Sequence, residues 1–269
     1  MDDETKKQET NHIGGYEELN FKIPIESEDY PKASRYVTES IEKIIYKTIK
    51  DGNNKIILNT NLRNGLPMEN INKIAGSIVE AWAGELFENI SQDKDNKWNL
   101  IHSETCSRLG MADIILQFKK QTTFGSVVTA NVDSKATSED LEKSGKSPNI
   151  TSFARIRSAY IDDADFIFVI LSLKHKVFCQ KNDKTSLMDG IMKVVKYNAY
   201  DIKYISEHDL NYNPALGTGQ LQIKDIHYVQ LKERTTWEFC QLLDNMYLAS
   251  TKRTFNDWLA LAQQNNWIK

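Results

Sequence analysis

Apolar residues recur at helical spacing in several parts of the chain. Residues 31–50 begin with a proline and are followed by an Asp-Gly-Asn sequence, which are typical start and stop signals of a helix. Residues 68–90 predict a longer helix, in which four apolar residues repeat every three or four positions: Ile71, Ile74, Ile78 and Trp82. We expect this stripe to face the core. Further helices are predicted at 150–161, 235–249 and 254–265.

Other apolar runs are typical of strands. Three short runs predict consecutive strands: 98–102, 112–118 and 125–135. Residues 123–126 predict a hairpin connection between the last two strands. Residues 165–173 are almost entirely apolar, as in a strand that is buried on both faces, and residues 220–231 alternate as a later strand does. This order of elements predicts an α/β fold with a mixed β-sheet flanked by helices.

The length and composition favour one large domain. The chain has 269 residues, of which 40% are hydrophobic. We expect residues 1–15 to form a flexible N-terminal tail and residues 16–269 to form a single domain with C-terminal helices. No apolar run approaches the roughly 20 residues of a membrane helix, and the charged N-terminus has no apolar signal segment. The sequence therefore predicts a cytoplasmic protein that does not contact a membrane.

Charge and cysteine content exclude some classes of function. The net charge of −3 does not indicate a general binder of polyanions. Residues 141–204 are nevertheless basic, with eleven Lys and Arg against seven acidic residues. The three cysteines lack the spacing of a zinc site and are interpreted as reduced thiols. The chain also lacks a phosphate-binding glycine-rich loop with its lysine, so no nucleotide cofactor is expected.

Three charged residues lie where two predicted strands meet. Asp113 begins the strand at 112–118, and Asp133 and Lys135 end the next strand. Residues two apart on a strand point to the same face, so Asp133 and Lys135 project together. If the two strands form a hairpin, Asp113 joins them at one edge of the sheet. Two carboxylates favour a hard cation such as Mg²⁺, and a lysine beside them suits hydrolysis of a phosphodiester bond.

A second set of residues has the same spacing. Asp201 and Lys203 also lie in an apolar context, and Asp165 is a possible upstream carboxylate for them. We favour Asp113, Asp133 and Lys135 because the two strands that carry them are consecutive.

The earlier set resembles the signature of the PD-(D/E)xK type II restriction endonucleases, with Asp113 followed by Asp133-Ser134-Lys135. Other segments are similar to the HincII-like branch of that family: AGELFENI at 83–90, SPNITSFARIR at 147–157, and LQIKDIHYVQL at 221–231 before the terminal helix TFNDWLALA at 254–262. The resemblance covers roughly residues 70–265, and it depends mainly on the order of these segments.

This resemblance implies a restriction-endonuclease-like mixed β-sheet and a bacterial enzyme that acts as a homodimer. It implies Mg²⁺-dependent hydrolysis of a short, palindromic site in double-stranded DNA. Asp113 and Asp133 would bind the metal, and Lys135 would assist the attacking water. Members of the superfamily often add a glutamate from the first long helix; Glu80 is our choice, and Glu85 and Glu88 remain alternatives.

The resemblance also implies two segments that contact DNA. The first contains Lys146, Ser147 and Asn149, and an asparagine amide can pair with adenine in the major groove. An N-cap of the following helix is the alternative role of Asn149. The second segment contains Thr218, Gly219, Gln220 and Gln222, and a plain turn before a strand is its alternative.

Two other functions remain compatible with these residues. One is a repair or junction-resolving nuclease of the same fold, which would prefer branched DNA to a linear sequence. The other is a DNA-binding protein without catalysis, which would bind DNA in a salt-dependent manner and leave it intact.

Overall fold

The structure is a computed structural model that describes residues 15–107, 110–119 and 127–269. Nearly all of the predicted tail at 1–15 and the predicted hairpin connection at 123–126 lie outside the described residues. The division into a tail and a single domain at 16–269 therefore stays a prediction. Among the described helices, none is long and apolar enough to cross a membrane.

The described chain contains helices and strands in mixed order, as the sequence predicts. The helices are α1 (Tyr30–Lys50), α2 (Met68–Gln92), α3 (Phe153–Asp162), α4 (Thr236–Leu248) and α5 (Phe255–Gln264). The strands are β1 (Lys55–Leu58), β2 (Leu100–Thr105), β3 (Ile114–Lys119), β4 (Val127–Ser138), β5 (Asn149–Ser152), β6 (Ile167–Lys181), β7 (Met188–Asp201), β8 (Leu210–Asn213) and β9 (Gln220–Ile223).

Six strands form a mixed sheet, which confirms the predicted fold class. Their order is β1-β7-β6-β4-β3-β2, and only β4 and β6 run parallel. The first half of β6 is buried on both faces, as its apolar sequence predicts. Val169 and Leu171 pack with α1 and α2 on one face, whereas Phe168 and Ile170 pack with α3, α4 and α5 on the other. The central strands therefore lie between two helical layers.

A second sheet of three strands, in the order β5-β9-β8, lies with the layer that contains α3, α4 and α5. A buried ion pair connects the helices of this layer. The Arg157 guanidinium in α3 donates to the Asp244 carboxylate in α4, with N–O distances from 3.0 to 3.2 Å. Asp244 also accepts hydrogen bonds from the Tyr16 hydroxyl and the Trp258 indole.

The buried face of α2 differs from the predicted stripe. Ile74 is 42% exposed, and the residues that are fully buried follow each other at steps of four: Ile71, Ala75, Val79, Ala83 and Phe87. Small residues in this set allow the helix to lie close to the sheet. A Cβ added at Gly84 would lie only 3.1 Å from the Thr105 hydroxyl of β2. The prediction followed the large apolar residues and therefore missed this close contact.

Two predicted elements have different bounds. The helix predicted at 150–161 begins at Phe153, because residues 149–152 form β5. The strand predicted at 220–231 ends at Ile223. The Asp225 carboxylate accepts a hydrogen bond from the His227 backbone N–H at 2.9 Å, which turns the chain away from the sheet.

Candidate active site

Asp113 lies beside β4 where its pairing with β3 ends, as the hairpin predicts, but β4 does not end at Asp133 and Lys135 and continues to Ser138. Strands β3 and β4 are antiparallel, and their pairing ends where Ile114 faces Val132. Beyond this point, β4 continues with backbone N–H groups that have no partner in β3. The Asp113 carboxylate accepts a hydrogen bond from one of them, the N–H of Ser134, at 2.8 Å.

Glu80 lies at the same edge of β4, two residues farther along the strand. Its carboxylate accepts a hydrogen bond from the Ala136 N–H at 3.3 Å, so α2 and the start of β3 each supply one acid to β4. The alternatives Glu85 and Glu88 are exposed. Glu85 lines a separate cavity with Trp82 and Trp98. Of the three candidate glutamates, only Glu80 thus lies at the candidate site.

Asp133 and Lys135 project together, as their spacing predicts. The Lys135 ammonium donates to Asp133 Oδ1 at 2.8 Å. The Asp133 side chain is only 5% exposed, and its Oδ2 has no hydrogen-bond partner among the described residues. A buried oxygen without a partner is costly, and a bound cation would satisfy it. The donor chemistry at this edge therefore fits a divalent metal.

The metal would take few of its ligands from side chains. Among the described residues, no three His, Cys, Asp or Glu side chains are arranged to hold a metal ion. Asp113 and Asp133 are two carboxylates, and Mg²⁺ commonly keeps several waters and binds substrate phosphate as well. The pair therefore suits a metal that completes its shell with water and substrate.

The acids at this edge influence each other electrostatically. Burial, with a smaller contribution from Asp113 and Glu80, raises the pKa of Asp133 to about 7 against the opposing effect of Lys135. Burial also raises the pKa of Glu80. Burial favours a lower pKa for Lys135, but the three carboxylates outweigh it and hold that pKa above its ordinary value. Lys135 is therefore protonated at neutral pH.

The raised pKa of Asp133 has a consequence for stability. Between its ordinary value of 3.8 and about 7, the folded protein binds the proton more tightly than the unfolded chain does, so stability falls as the pH rises through this range. Without metal, Asp133→Asn should raise the melting temperature by several degrees at pH 8 and by less at pH 5. Mg²⁺ should then stabilise the wild type more than the variant at pH 8.

Differential scanning calorimetry in a chelating buffer, and then with Mg²⁺, measures both effects. A gain that is equal at pH 5 and pH 8, or equal stabilisation of both proteins by Mg²⁺, would contradict the assignment.

The second set with the same spacing, which contains Asp201, Lys203 and Asp165, forms contacts that hold parts of the fold together. The Asp201 carboxylate accepts hydrogen bonds from the hydroxyls of Tyr30 and Ser34 at 2.8 and 2.6 Å. Lys203 is fully buried, and its ammonium pairs with Glu26. Asp165 accepts a hydrogen bond from the backbone N–H of residue 27. These polar groups hold α1 and the chain before it against the start of β6 and the end of β7, and the preference for the first set is consistent with the geometry.

The two predicted DNA-contacting segments lie side by side in the small sheet. Asn149 in β5 faces Gln222 in β9, and the Gln222 amide donates to the Asn149 side-chain oxygen at 2.9 Å. Asn149 is exposed. The N-cap of α3 is Ser152, so the alternative role of Asn149 as the N-cap is wrong.

Lys146 and Ser147 lead into β5 alongside the end of β9. The Lys146 ammonium pairs with the Asp225 carboxylate, and these two residues also form an isolated β-bridge. Ser147 has a left-handed backbone with φ of 48°, and its N–H donates to the Lys224 carbonyl at 3.0 Å. Residues 146–149 therefore run alongside residues 222–225, the segment that begins with Gln222.

The loop before β9 is shaped by close contacts within the protein. Gly219 has φ of +92°, and a Cβ there would lie 2.1 Å from the Tyr212 hydroxyl. The hydroxyls of Thr218 and Ser152 are 3.0 Å apart. Gln220 pairs with Asn213 and Ser152 across the small sheet. The glycine is required by the neighbouring tyrosine ring, and the role of this loop in DNA contact stays a prediction.

Sequence reasoning missed His227. The strand predicted at 220–231 would place His227 on a sheet face, but it lies in the turn after β9 and contacts the hydroxyls of Thr137 and Ser172 with its two ring nitrogens. Both partners are distant along the chain, so no local spacing indicates this arrangement.

Comparison with known proteins identifies the family. The family described as type II restriction endonuclease HpaI matches residues 17–266. The type II restriction enzyme HpaI of Haemophilus parainfluenzae is 57% identical over 254 residues, which cover 94% of this chain and 99% of that relative. The predicted type II restriction endonuclease is thus confirmed, with HpaI as the matching family, and the resemblance to HincII is minor. The chain belongs to the HpaI family of type II restriction endonucleases.

Proposed function

We propose that this restriction endonuclease hydrolyses both strands of a short palindromic site in double-stranded DNA, with Mg²⁺ held by Asp113 and Asp133. The observation that carries the proposal is the buried Oδ2 of Asp133, which no described residue contacts by a hydrogen bond, beside the Asp113–Ser134 contact. A divalent cation bound there would polarise the phosphoryl oxygen and lower the pKa of a bound water. A general requirement of the family for a divalent metal is consistent with this donor set.

Each residue at the edge of β4 has a role in the proposal. Asp113 and Asp133 fix the metal, and the hydrogen bond from Ser134 fixes the orientation of Asp113. Lys135 is protonated, so it stabilises negative charge on the phosphate and orients the attacking water. Glu80 lies near the same site with a raised pKa and helps to position the water or a proton.

The small sheet supports a role in reading the DNA. The amides of Asn149 and Gln222 lie together on it, and such side chains can pair with adenine in the major groove. Lys146 and Ser147 precede them and would contact the backbone or bases. Thr218, Gly219 and Gln220 form the neighbouring loop, which would approach the DNA from the other end of β9.

A homodimer would match the two-fold symmetry of a palindromic site and place one active site on each strand. Helix α2 is the proposed dimer interface, because it leaves two apolar side chains on its outer surface, Met68 and Ile74, 55% and 42% exposed. The pair of C-terminal helices is the alternative interface.

The two other functions considered from the sequence are less well supported. A junction-resolving nuclease or a DNA-binding protein without catalysis would not be expected to match a restriction endonuclease family over residues 17–266. A cluster of three acids and a lysine, which are Glu80, Asp113, Asp133 and Lys135, also has no evident purpose in a protein that only binds DNA.

We expect incubation of plasmid DNA with the protein and Mg²⁺ to give a small number of discrete fragments. Chelation of the metal should stop cleavage, because the carboxylates alone cannot activate the water. Sequencing of the fragment ends measures the site and the position of the cut on each strand. A smear, cleavage restricted to branched DNA, or cleavage without divalent metal would contradict the proposal.

A further inference from the structure

His227 joins two strands next to the candidate active site. Its Nε2 lies 2.5 Å from the Thr137 hydroxyl of β4, and its Nδ1 lies 2.8 Å from the Ser172 hydroxyl of β6. Thr137 follows Lys135 by two residues on the same strand and thus shares its face. Ser172 is the partner of Lys135 in the parallel β4–β6 register. The imidazole therefore spans the two strands at the position of the lysine.

The other side of His227 connects to the segment that precedes Asn149. The His227 backbone N–H donates to one oxygen of Asp225, whose carboxylate also pairs with the Lys146 ammonium. The N–H of Ile226 donates to the Gly145 carbonyl at 3.2 Å. A continuous series of contacts thus leads from Lys146 through Asp225 and His227 to Thr137.

The contact between this segment and the imidazole is close. Gly145 has φ of +89°, and a Cβ there would lie 3.1 Å from ring atoms of His227. Only a glycine adopts this backbone readily and leaves room for the ring. A displacement of residues 145–146 would therefore press on the imidazole.

The imidazole of His227 is neutral, and a neutral ring suits two hydroxyl partners. Burial, together with the nearby Lys174 ammonium, lowers the pKa of His227 to about 4. The neutral ring has one N–H donor and one acceptor nitrogen, and a hydroxyl can serve either role. Because both nitrogens are engaged, His227 is not available as a general base, and its geometry is that of a fixed connection.

We propose that His227 is a positioning residue that couples DNA contact at the segment containing Lys146 to the placement of Lys135 in β4. The inference rests on the proposed function, since it takes Lys146 as a DNA contact and Lys135 as part of the active site. DNA that engages Lys146 competes with Asp225 for the ammonium, and the resulting shift of the turn reaches Thr137 through the imidazole. Cleavage then depends on correct docking of the recognition segment as well as on metal.

Two substitutions test the two hydrogen bonds of the His227 imidazole one at a time. The amide of His227→Asn can replace only Nδ1, which faces Ser172, whereas the longer His227→Gln can replace Nε2, which faces Thr137. We expect His227→Asn to lower the single-turnover cleavage rate at saturating enzyme by about tenfold or more, as loss of an orienting partner does. His227→Gln should retain most of the rate. Thr137→Val should match His227→Asn, and the double variant should lose little more.

The readouts distinguish positioning from folding. The dissociation constant for a duplex that carries the site, measured without divalent metal, should stay close to that of the wild type. The ratio of the cleavage rate on this site to that on a site with one altered base pair should fall in His227→Asn. His208→Asn is the matched control, because His208 is exposed, and it should leave every quantity unchanged.

The outcomes are decisive. If the wild type cleaves but His227→Asn cleaves equally fast, the inference is wrong and the proposed function stands. If both His227 variants lose rate in proportion to a fall in melting temperature, His227 is only structural and the inference is again wrong. If the wild type cleaves no DNA under any of these conditions, the proposed function and the inference both fail.

Discussion

Asp133→Ala should lower the rate of DNA cleavage by about a thousandfold or more, because a bound metal contributes several kcal/mol of transition-state stabilisation and about 4 kcal/mol corresponds to that factor. Asp133 is the acid most dependent on a cation, since its Oδ2 is buried and finds no hydrogen-bond partner in the part of the chain that the structure describes. The substitution also removes the carboxylate that holds the Lys135 ammonium at 2.8 Å. Metal and lysine would therefore be lost from their places together.

The same variant should still bind DNA. Removing a negative charge near the phosphates leaves affinity unchanged or raises it. Single-turnover cleavage, a gel-shift assay without divalent metal and a melting curve together measure the separation of cleavage from binding and folding. Asp183→Ala is the matched control, because Asp183 is exposed in the turn between β6 and β7. Wild-type cleavage by Asp133→Ala, or equal losses in both variants, would reject the assigned site.

The geometry of Asp113, Asp133 and Lys135 was predictable because it depends on local structure. Two consecutive strands that pair as a hairpin place the residue before one strand beside the last paired part of the other, and alternation along β4 aligns Asp133 with Lys135. No knowledge of distant parts of the chain is needed. The buried strand β6 was predictable for a similar reason, since its sequence is apolar on both faces.

The features that the sequence did not reveal depend on distant partners. Glu80 was the choice from the sequence, but Glu85 and Glu88 could not be excluded there, because this requires the rotation of α2, which is set by small residues such as Ala83 and Gly84 against the sheet. The structural role of Asp201 depends on Tyr30 and Ser34, which are more than 160 residues away in sequence. Contacts of this kind follow from packing between layers, and periodicity along one element carries no information about them.

The Arg157–Asp244 pair gives the largest expected effect on stability. Both side chains are fully buried, and Asp244 accepts hydrogen bonds from the guanidinium, the Tyr16 hydroxyl and the Trp258 indole. Asp244→Ala leaves the Arg157 charge buried without a counter-charge, which typically destabilises a protein by about 3–5 kcal/mol. For a chain of this size, we expect the melting temperature to fall by about 10 °C.

The consequence of this loss should extend to the small sheet of β5, β9 and β8, because α3 follows β5 directly and α4 packs against α3 in the same layer. The double variant Arg157→Met, Asp244→Leu removes both charges and should recover much of the lost stability, since well-packed apolar residues can replace a buried ion pair. Glu39→Ala is the control, because the Glu39–Lys43 pair is exposed and such pairs contribute less than about 1 kcal/mol. Calorimetry measures all three variants. An Asp244→Ala protein that melts with the control would show that the buried pair does not hold this layer together, and a double variant no more stable than Asp244→Ala would show that the uncompensated charge is not the cause of the loss.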